Sequence, residues 1–559
     1  MHYFVGLDSA RTLRNKNTGF PFPSTTPAEI RAQRYNTLTK EALMSDNRFS
    51  RRYFFYGSLL AGAIPRGGFG STPSLKAAGF KSVLDKLNVA GIGIGGRGGE
   101  DIGTIATSEN IVALCDVNDD YAARTFNRYE KAKRYKDFRK MLDAEGANID
   151  GVVIGTPDHS HCNIALAAMQ HGKHVYCEKP LTRTVWESRL LRDAAHKYKV
   201  ATQMGNQGYS HEGTRTAAEI LWAGDIGTVK EVHAWTGGIY IGGDNIQSEP
   251  PAETVPSTLD WDLWLNTASA TSYTKDKFRL WRAYLGFGTG GSLGDWLVHC
   301  LGPANLALKL GDVPPISVEC VEIKGVSKWT WPTNSHLRYE FPERAGMPPV
   351  TVNVYQNLRG DVPYPAGMAP DERLLPRGNN LSERGRNAPP DPGRERAAAA
   401  QPGRGGAPGA PAAPAGGGAP PAAQAGRGAP PAGPIDRSRV PGNGALFVGD
   451  KGHMATCDRG EGVWLLPASR WAEYKLPPQL LPRSVSHQQD WVRACKGGQP
   501  GCSNFDIAVP YIEWLILGAV ALHVPNTKLM WDAKNMRFNN EEANKYLRPF
   551  VRKGWEMKL

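Results

Sequence analysis

Short apolar runs alternate with a helix-like stretch between Leu87 and Leu181. Between Ile154 and His174 the apolar residues recur at the spacing of a helix, and turn residues separate this helix from the strands beside it. Strands that alternate with helices predict an α/β fold with a parallel sheet. The predicted strands are residues 87–92, 111–116, 152–154 and 174–177.

The pattern changes in the second half of the chain. A helix is predicted over residues 212–223 and a strand over 229–235. Alternating valines at 350–355 and an apolar stretch at 445–449 predict two neighbouring strands. The run 511–522 is apolar nearly all round, which predicts a buried helix that is too short to span a membrane.

Residues 358–443 interrupt this second region and are rich in Pro, Gly, Ala and Arg. Few apolar side chains occur there, so burial cannot offset the entropy lost on ordering, and a disordered insertion is predicted. We expect it to form an extended loop at a sheet edge. Its composition favours a solvated linker over a segment that binds a partner.

Composition limits the possible partners. The chain has 559 residues, 41% of them hydrophobic, which is enough for two or more globular domains. The formal net charge is +12, yet the globular part has no basic run interleaved with aromatic residues. We therefore predict no nucleic-acid partner and treat the positive charge as a surface property.

The N-terminal region contains paired arginines, Arg51 and Arg52, before a weakly apolar segment at 56–64. This arrangement resembles a twin-arginine export signal, which we place with its linker at residues 44–80. A periplasmic or secreted protein is expected. Residues 1–43 do not fit the start of such a signal, so we expect them to be a disordered, non-native extension and translation to begin at Met44.

The eight cysteines form no metal-binding pattern. Neither C-x-x-C nor H-E-x-x-H occurs, so the sequence predicts no metal site. Cys115, Cys162 and Cys177 fall on predicted core elements, which favours buried free thiols. Cys495 and Cys502 flank a Gly- and Pro-containing stretch that a disulfide would close in an oxidising compartment, and the sequence leaves this pairing open.

A glycine-rich turn follows the first predicted strand and consists of Gly93, Gly95, Gly96, Arg97 and Gly98. Glycines let the backbone turn tightly and approach a pyrophosphate, which the N-terminus of the next helix attracts. The second strand ends at Asp116, whose carboxylate accepts hydrogen bonds from ribose hydroxyls and repels a 2′-phosphate. The sequence therefore predicts a dinucleotide site that favours NAD over NADP.

Further motifs join the glycine turn and Asp116: Tyr135-Lys-Asp-Phe-Arg139, Thr156-Pro-Asp-x-x-His161, Gly172-Lys-His-Val175, Glu178-Lys-Pro180, Gln203-Met-Gly-Asn-Gln207, Gly227-x-Val-x-Glu-Val-His233 and Asp295-x-x-x-His299. With them the chain resembles the Gfo/Idh/MocA oxidoreductases, which include glucose-fructose oxidoreductase and inositol dehydrogenase, and in particular their exported twin-arginine branch. The resemblance implies a Rossmann NAD-binding domain at 86–207. It also implies an α+β C-terminal substrate and oligomerisation domain with an open, mostly antiparallel sheet at 208–357 and 444–559.

The resemblance implies that Lys179 and His299 form the polar pair at the reacting carbon. Lys179 would contact the reacting oxygen, His299 would take or relay its proton, and Asp295, one helical turn before His299, would orient the imidazole. The implied cofactor contacts are the glycine turn, Asp116, Thr156, Pro157, His161, Glu178, Lys179 and Gln207. Candidate substrate contacts are Asn206, His211, Trp235 and Tyr240.

The implied activity is hydride transfer between a tightly held nicotinamide and a hydroxyl carbon of a sugar, glycoside or cyclitol. Export would separate the protein from free NAD, so we expect the cofactor to be loaded first and recycled in the site. One alternative is an NAD-dependent glycoside hydrolase that acts by transient oxidation, elimination and re-reduction. A second is a non-catalytic sugar-binding protein. A homo-oligomer, dimer or tetramer, is implied, and the sugar and its reacting carbon stay open.

Overall fold

The computed structural model describes most of the chain from residue 85 onward. The predicted extension, the predicted export signal and Tyr240 lie outside the described residues, as does the centre of the predicted insertion. The described residues are 85–237, 242–365, 367–369, 371–376, 380–384, 439–440 and 442–559.

The first domain has a parallel sheet of six strands among the described residues, in the order β3-β2-β1-β4-β5-β6. The order reverses between β1 and β4, where ligands bind in open α/β sheets. The predicted Rossmann fold is confirmed. The strands are β1 Asn88–Ile92, β2 Asn110–Cys115, β3 Lys133–Tyr135, β4 Gly151–Ile154, β5 His174–Glu178 and β6 Thr202–Gly205.

Helices cover this sheet because its strands are apolar on both faces. Local sequence fixes their ends: the Thr184 hydroxyl accepts from the Glu187 amide, and the Glu187 carboxylate accepts from the Thr184 amide, which forms a capping box. The helices of this half are α1 Arg97–Ile105, α2 Asp119–Arg128, α3 Phe138–Glu145, α4 Asp158–Gln170, α5 Val185–Tyr198 and α6 Glu212–Ala223.

The second domain contains an open, mixed sheet of nine strands in the part of the chain that is described, in the order β13-β12-β11-β7-β10-β9-β8-β14-β15. Its neighbouring strands are antiparallel except β7 and β10, so the predicted mostly antiparallel sheet is confirmed. The strands are β7 Val229–Trp235, β8 Ser317–Lys324, β9 Asn334–Phe341, β10 Val350–Gln356, β11 Gly444–Gly449, β12 His453–Cys457, β13 Val463–Leu466, β14 Leu529–Asp532 and β15 Arg537–Phe538.

The remaining helices are short apart from the predicted buried helix, which is confirmed as α13. Among the described residues no helix is both long and apolar enough to cross a bilayer. The helices are α7 Trp261–Leu265, α8 Lys275–Arg279, α9 Val298–Cys300, α10 Gly302–Ala307, α11 Leu381–Arg384, α12 His487–Cys495, α13 Phe505–Ala521 and α14 Glu541–Asn544, with a π-helical turn at Leu293–Leu297.

The predicted pairing of β10 with β11 is wrong, because β7 lies between them and hydrogen-bonds to both. The boundaries predicted for the insertion, 358–443, are also too wide. Val362, Leu374 and Val440 are buried in one hydrophobic cluster, so both ends of the segment are folded onto the second sheet. Apolar residues near the ends of a polar segment were enough to anchor it.

The boundary between the two predicted domains also needs correction near the C-terminus. Helix α12 was assigned to the second domain with residues 444–559. In the structure Trp491 and Cys495 of this helix pack in the core of the first domain, beside Leu114 and Tyr176. Gln488 of the same helix donates to Asp101 Oδ1 at 2.8 Å. The chain therefore returns to complete the Rossmann layer.

Candidate active site

The glycine turn joins β1 to α1 in a conformation that only small residues permit. Gly93 has φ = +74°, and its amide donates to the Cys115 carbonyl at 2.8 Å. A Cβ on Gly98 would lie 2.2 Å from the Gly93 carbonyl oxygen, because the first turn of α1 packs directly on the loop. The helix begins at Arg97, and the N-cap residue Gly96 has no side chain to cap it, which leaves its N-terminus open to an anion.

Asp116 holds this turn in place. Its Oδ2 accepts from the amides of Ile94 at 2.9 Å and Gly95 at 3.1 Å, and its Oδ1 accepts from the Asn118 amide at 3.0 Å. Burial raises the pKa of Asp116 to about 6 although these bonds lower it. Each carboxylate oxygen has two lone pairs, so Asp116 keeps acceptor capacity for ribose hydroxyls while it shapes the loop.

Glu178 belongs to a buried polar network behind the glycine turn. Its Oε1 accepts from Gln207 Nε2 at 2.6 Å and from Arg97 Nε at 3.4 Å. Arg97 also binds Asp101 at 2.9 Å, and burial together with the Glu178 charge raises the pKa of Asp101 well above its usual value. Three of the predicted cofactor residues are thus brought together, with Glu178 and Gln207 bound to each other.

Two of the other predicted cofactor contacts lie beside the turn, and one is structural. Thr156 packs against Gly93, where a Cβ would lie 2.6 Å from its methyl group, and Pro157 caps α4. His161 is different: it is buried, and its ring nitrogens lie 2.8 Å from the carbonyl oxygens of Thr156 and Pro180. Its ring is used to join these loops, so the predicted cofactor contact of His161 is corrected to a positioning role.

Lys179 lies at the carboxyl end of β5 and reaches across to the second domain. Its Nζ donates to the Asp295 carbonyl at 2.7 Å and to Asp295 Oδ1 at 2.9 Å. Arg282 Nε lies 3.0 Å from the same carboxylate oxygen. Burial raises the pKa of Asp295, but the charges of Lys179 and Arg282 outweigh it, so the pKa lies below its usual value. An ammonium has three N–H groups, which leaves Lys179 one for a ligand.

His299 is buried on α9, the turn that follows the π-helix. The Tyr511 hydroxyl of α13 donates to the neighbouring Val298 carbonyl at 2.6 Å and fixes this turn. Burial lowers the pKa of His299 well below its ordinary value, and the charge of Lys179 lowers it further. Among the described residues its Nδ1 has no hydrogen-bond partner. His299 is therefore a neutral imidazole with an unsatisfied ring nitrogen.

The predicted bond between Asp295 and His299 is not found, and Asp295 pairs with Lys179 and Arg282 instead. A carboxylate binds charged donors more strongly than it binds a neutral imidazole. The π-helical turn carries Asp295 to these cations, since a Cβ on Gly294 would lie only 3.2 Å from Pro180 Cγ. The structure thus gives Asp295 the role of orienting Lys179.

Three of the four candidate substrate residues, Asn206, His211 and Trp235, have a buried polar atom without a hydrogen-bond partner among the described residues. Asn206 directly follows β6, is 1% exposed, and neither its Oδ1 nor its Nδ2 has a partner within the described chain. His211 Nδ1 also lacks a hydrogen bond there and lies 4.0 Å from Glu461 Oε1. Burial lowers the pKa of His211. Buried polar atoms of this kind are costly unless a water or a ligand satisfies them.

Trp235, the third of these candidates, lies in the core of the second domain. Trp235 is fully buried at the end of β7, in a hydrophobic cluster with Tyr355, Leu446 and Ala455. The predicted substrate contact of Trp235 is therefore corrected to a core role, because an aromatic residue in a strand more often packs in a hydrophobic core than contacts a substrate. Tyr240 lies outside the described residues.

Sequence reasoning missed three charged residues near Lys179. Arg282 binds Asp295, Asp158 accepts from the Thr289 hydroxyl at 2.8 Å, and Arg459 lies with its guanidinium carbon 5.2 Å from the centre of the Trp296 ring. Asp158 lies inside a quoted motif and had a sequence signal. The two arginines come from loops without a motif, and only the tertiary fold brings them to the site.

The cysteines that the sequence singled out are all free thiols in the structure. Cys115, Cys162 and Cys177 are buried free thiols, as predicted, and Cys495 and Cys502 are free as well. No metal site was predicted from the sequence. In the described part of the chain, ligand atoms of Cys457, Asp458 and Glu461 lie within 4.8 Å of one another. Acidic groups commonly cluster like this without a metal, so we assign none.

The residues present fit a bound dinucleotide. The uncapped N-terminus of α1 and the glycine turn are suited to a pyrophosphate, and Asp116 to a ribose. The buried, unsatisfied amide of Asn206 and Nδ1 of His299 lie where a ligand can complete their hydrogen bonds. The glycine turn, the N-terminus of α1 and Asp116 would hold NAD through its phosphates and one ribose.

Two family models match parts of the chain, one in each domain. Residues 87–206 match the GFO_IDH_MocA model, described as an oxidoreductase family with an NAD-binding Rossmann fold. Residues 229–332 match GFO_IDH_MocA_C2, described as an oxidoreductase family C-terminal alpha/beta domain. Together with the names of the relatives below, these matches support an oxidoreductase of the Gfo/Idh/MocA family.

The curated relatives match over part of their length. Levoglucosan dehydrogenase of Pseudarthrobacter phenanthrenivorans is 30% identical over 116 residues, which are 21% of this chain and 29% of that protein. Inositol 2-dehydrogenase of Salmonella paratyphi B is 28% identical over 147 residues, 25% of this chain and 43% of that protein. Glycosyl hydrolase family 109 protein 1 of Akkermansia muciniphila is 28% identical over 163 residues, which are 27% of this chain and 31% of that protein. The chain spans less than half the length of these relatives.

A solved structure is similar over a larger share of the chain but at low identity. An inositol dehydrogenase homologue of Azotobacter vinelandii, complexed with NADH and myo-inositol, is 14% identical and has a TM-score of 0.46. The match covers 81% of this chain and 100% of that one. A likeness at this level says nothing about function.

Proposed function

We propose that this protein is an NAD-dependent oxidoreductase that transfers hydride between its cofactor and a hydroxyl carbon of a sugar, glycoside or cyclitol. One observation carries the proposal: Lys179 is fixed by Asp295 with one N–H group unused, and its charge acts on the buried, neutral His299, whose Nδ1 has no partner among the described residues. The family matches and the relatives named for sugar and cyclitol dehydrogenases support it.

In the proposed mechanism, Lys179 stabilises the reacting oxygen and His299 accepts its proton. Bound NAD supplies the hydride acceptor. Lys179 donates its remaining hydrogen bond to the reacting oxygen and stabilises the negative charge that develops there. His299 accepts the hydroxyl proton, and its lowered pKa keeps it neutral and able to do so. Asp295 keeps Lys179 in place, and Arg282 keeps Asp295 ionised.

The Lys179→Met variant tests this mechanism. It removes the charge that stabilises the developing alkoxide while it keeps a side chain of similar length. We expect hydride transfer on any sugar that the wild type oxidises to fall by about 10³-fold. Lys136→Met, which breaks a surface pair with Asp119, is the matched control and should change little. Retention of most activity in Lys179→Met would refute the proposed role.

A second candidate function is NAD-dependent glycoside hydrolysis through transient oxidation, elimination and re-reduction. The similarity to a family 109 glycosyl hydrolase favours it. The two functions differ in net redox change. Cleavage of a glycoside without added NAD and without a ketone product would identify the hydrolase, whereas a paired oxidised product would identify the oxidoreductase.

We also propose that the protein is exported folded with its cofactor and that it assembles as a dimer or tetramer. The proposals rest on the paired Arg51 and Arg52 and on the family resemblance. Mass spectrometry of the purified native protein should find NAD released by acid, and N-terminal sequencing should find residues 1–43 absent. Light scattering during size-exclusion chromatography gives the oligomeric state.

A further inference from the structure

Arg459 is a cation at the site that has no anionic partner within the described part of the chain. It lies in the turn after β12, and its guanidinium forms no side-chain hydrogen bond or ion pair with any described residue. Its Nε is buried without an acceptor. A buried guanidinium N–H without an acceptor is costly, and arginine normally meets a carboxylate or phosphate with two parallel hydrogen bonds.

Arg459 is close to the reacting pair. Its guanidinium lies over Trp296, whose ring centre is 6.0 Å from that of His299. The backbone of Arg459 packs on Gly208, where a Cβ would lie 2.2 Å from the Arg459 carbonyl oxygen. Its charge also lowers the pKa of both His299 and Asp295, after the larger effects of burial and Lys179.

The carboxylates near Arg459 are engaged elsewhere. Glu461 Oε2 accepts from the backbone amide of Arg459 at 2.8 Å, and its Oε1 faces His211 at 4.0 Å. Asp458 Oδ1 accepts from Asn443 Nδ2 at 2.9 Å. Asp295, the carboxylate that faces the reacting pair, already binds Lys179 and Arg282. Among the described residues, none of these carboxylates pairs with the guanidinium of Arg459, which is left for a ligand.

From this arrangement we infer that the substrate is an anionic saccharide, whose carboxylate or ester anion binds Arg459 while its reacting hydroxyl contacts Lys179 and His299. The inference rests on the proposed function and narrows it. Arginine presents a planar fork that matches a carboxylate, a phosphate or a sulfate ester. A uronate, a sugar phosphate and a sugar sulfate share this chemistry.

The test compares matched neutral and anionic sugars on the full-length protein purified with its cofactor. The probes are methyl glucoside, methyl glucuronide, glucose 6-phosphate and glucose 6-sulfate, each assayed for hydride transfer and for a shift in unfolding temperature. We expect wild-type kcat/KM for at least one anionic sugar to exceed that for methyl glucoside by about 10-fold or more. The anionic sugar with the highest kcat/KM shows whether the substrate carries a carboxylate, a phosphate or a sulfate ester.

Substitutions of Arg459 test whether this residue causes the preference for anionic sugars. Arg459→Gln should lower the anionic-to-neutral ratio of kcat/KM by about 10- to 100-fold, mostly through KM, and should abolish the stabilisation by the anionic sugar. Arg459→Lys keeps the charge but loses the planar guanidinium, so we expect an intermediate anionic-to-neutral ratio of kcat/KM. This variant replaces Arg459→Gln in the test if the glutamine variant does not fold. Arg470→Gln, an exposed arginine over Trp471, is the matched control and should leave the ratio unchanged.

Two results would overturn the inference and leave the proposed function standing. One is a wild type that oxidises the neutral sugar and neither oxidises nor binds any anionic one. The other is an equal loss on neutral and anionic sugars in Arg459→Gln. If NAD co-purifies and none of the sugars, nor any glycoside, is oxidised or cleaved, the proposed function itself fails.

Discussion

The cofactor side and the substrate side of the site differ in how their polar groups are satisfied. On the cofactor side, Asp116 and Glu178 accept hydrogen bonds from the glycine turn, Gln207 and Arg97. On the substrate side, Asn206 and His299 are buried with polar atoms that have no partner in the described chain. The first side is preformed by its own contacts. The second is completed by what binds there, so specificity is expected to lie in it.

The largest effect is expected from His299, which joins the unsatisfied side to the chemistry. His299→Gln keeps a polar side chain but removes the base, and we expect kcat/KM to fall by about 10²- to 10⁴-fold. Because burial lowers the pKa of His299, the imidazole stays neutral below its ordinary range. Wild-type kcat/KM for the sugar, measured as a pH–rate profile with NAD saturating so that the titration of Asp116 does not contribute, should therefore show no loss of a base as pH falls through 6.5.

A matched control separates this effect from a change in packing. His523 is a half-buried histidine stacked on Tyr546, and its partial burial lowers its pKa to about 4. His523→Gln should reduce thermal stability and leave the pH–rate profile unchanged. A wild-type profile that falls with an apparent pKa near 6.5 would mean that His299 titrates normally, and the assignment of the neutral base would then be wrong.

A smaller effect is expected on the satisfied side, from Asp116→Asn. The amide keeps the size of the side chain but offers one acceptor oxygen in place of two, so one of the bonds to Ile94, Gly95 or Asn118 weakens. We expect NAD to bind about 10-fold more weakly, as calorimetry of cofactor-depleted protein measures. Asp143→Asn, an exposed carboxylate on α3, is the control and should leave NAD affinity unchanged.

The raised pKa of Asp116 predicts how NAD affinity changes with pH. The folded pKa of about 6 lies above the ordinary value, so the carboxyl group takes up its proton as pH falls through 6. Ribose hydroxyls donate to the carboxylate form, so wild-type NAD affinity should decrease between pH 7 and 5. The asparagine variant should be flat over the same range. A wild type without this decrease would show that Asp116 shapes the turn and does not bind the cofactor.

The same contrast explains what could be predicted from the sequence. The glycine turn, Asp116 and the β5 end at Lys179 are local features in which spacing determines geometry, and their placement follows from the strand–turn–helix pattern. The partner of Asp295 was mispredicted because helical spacing pointed to His299, whereas the fold brings in Lys179, 116 residues away in sequence. Arg459 lies in an irregular turn with no spacing signal, and only the packing of its backbone on Gly208 shows its position.

The smallest effect on catalysis is expected from Trp235, which sequence reasoning assigned to the substrate side. Trp235→Phe leaves a small cavity in a fully buried cluster but also removes an indole N–H that has no partner among the described residues. We expect the free energy of unfolding to fall by about 1 kcal/mol, measured by denaturant titration, with KM within about 2-fold of wild type. Trp296→Phe is the contrasting variant, because its ring touches the site through Arg459 and His299, and there KM should rise with little change in stability. If Trp235→Phe raised KM as much as Trp296→Phe, the substrate would extend toward β7, and the boundary drawn between the core and the unsatisfied side would have to move.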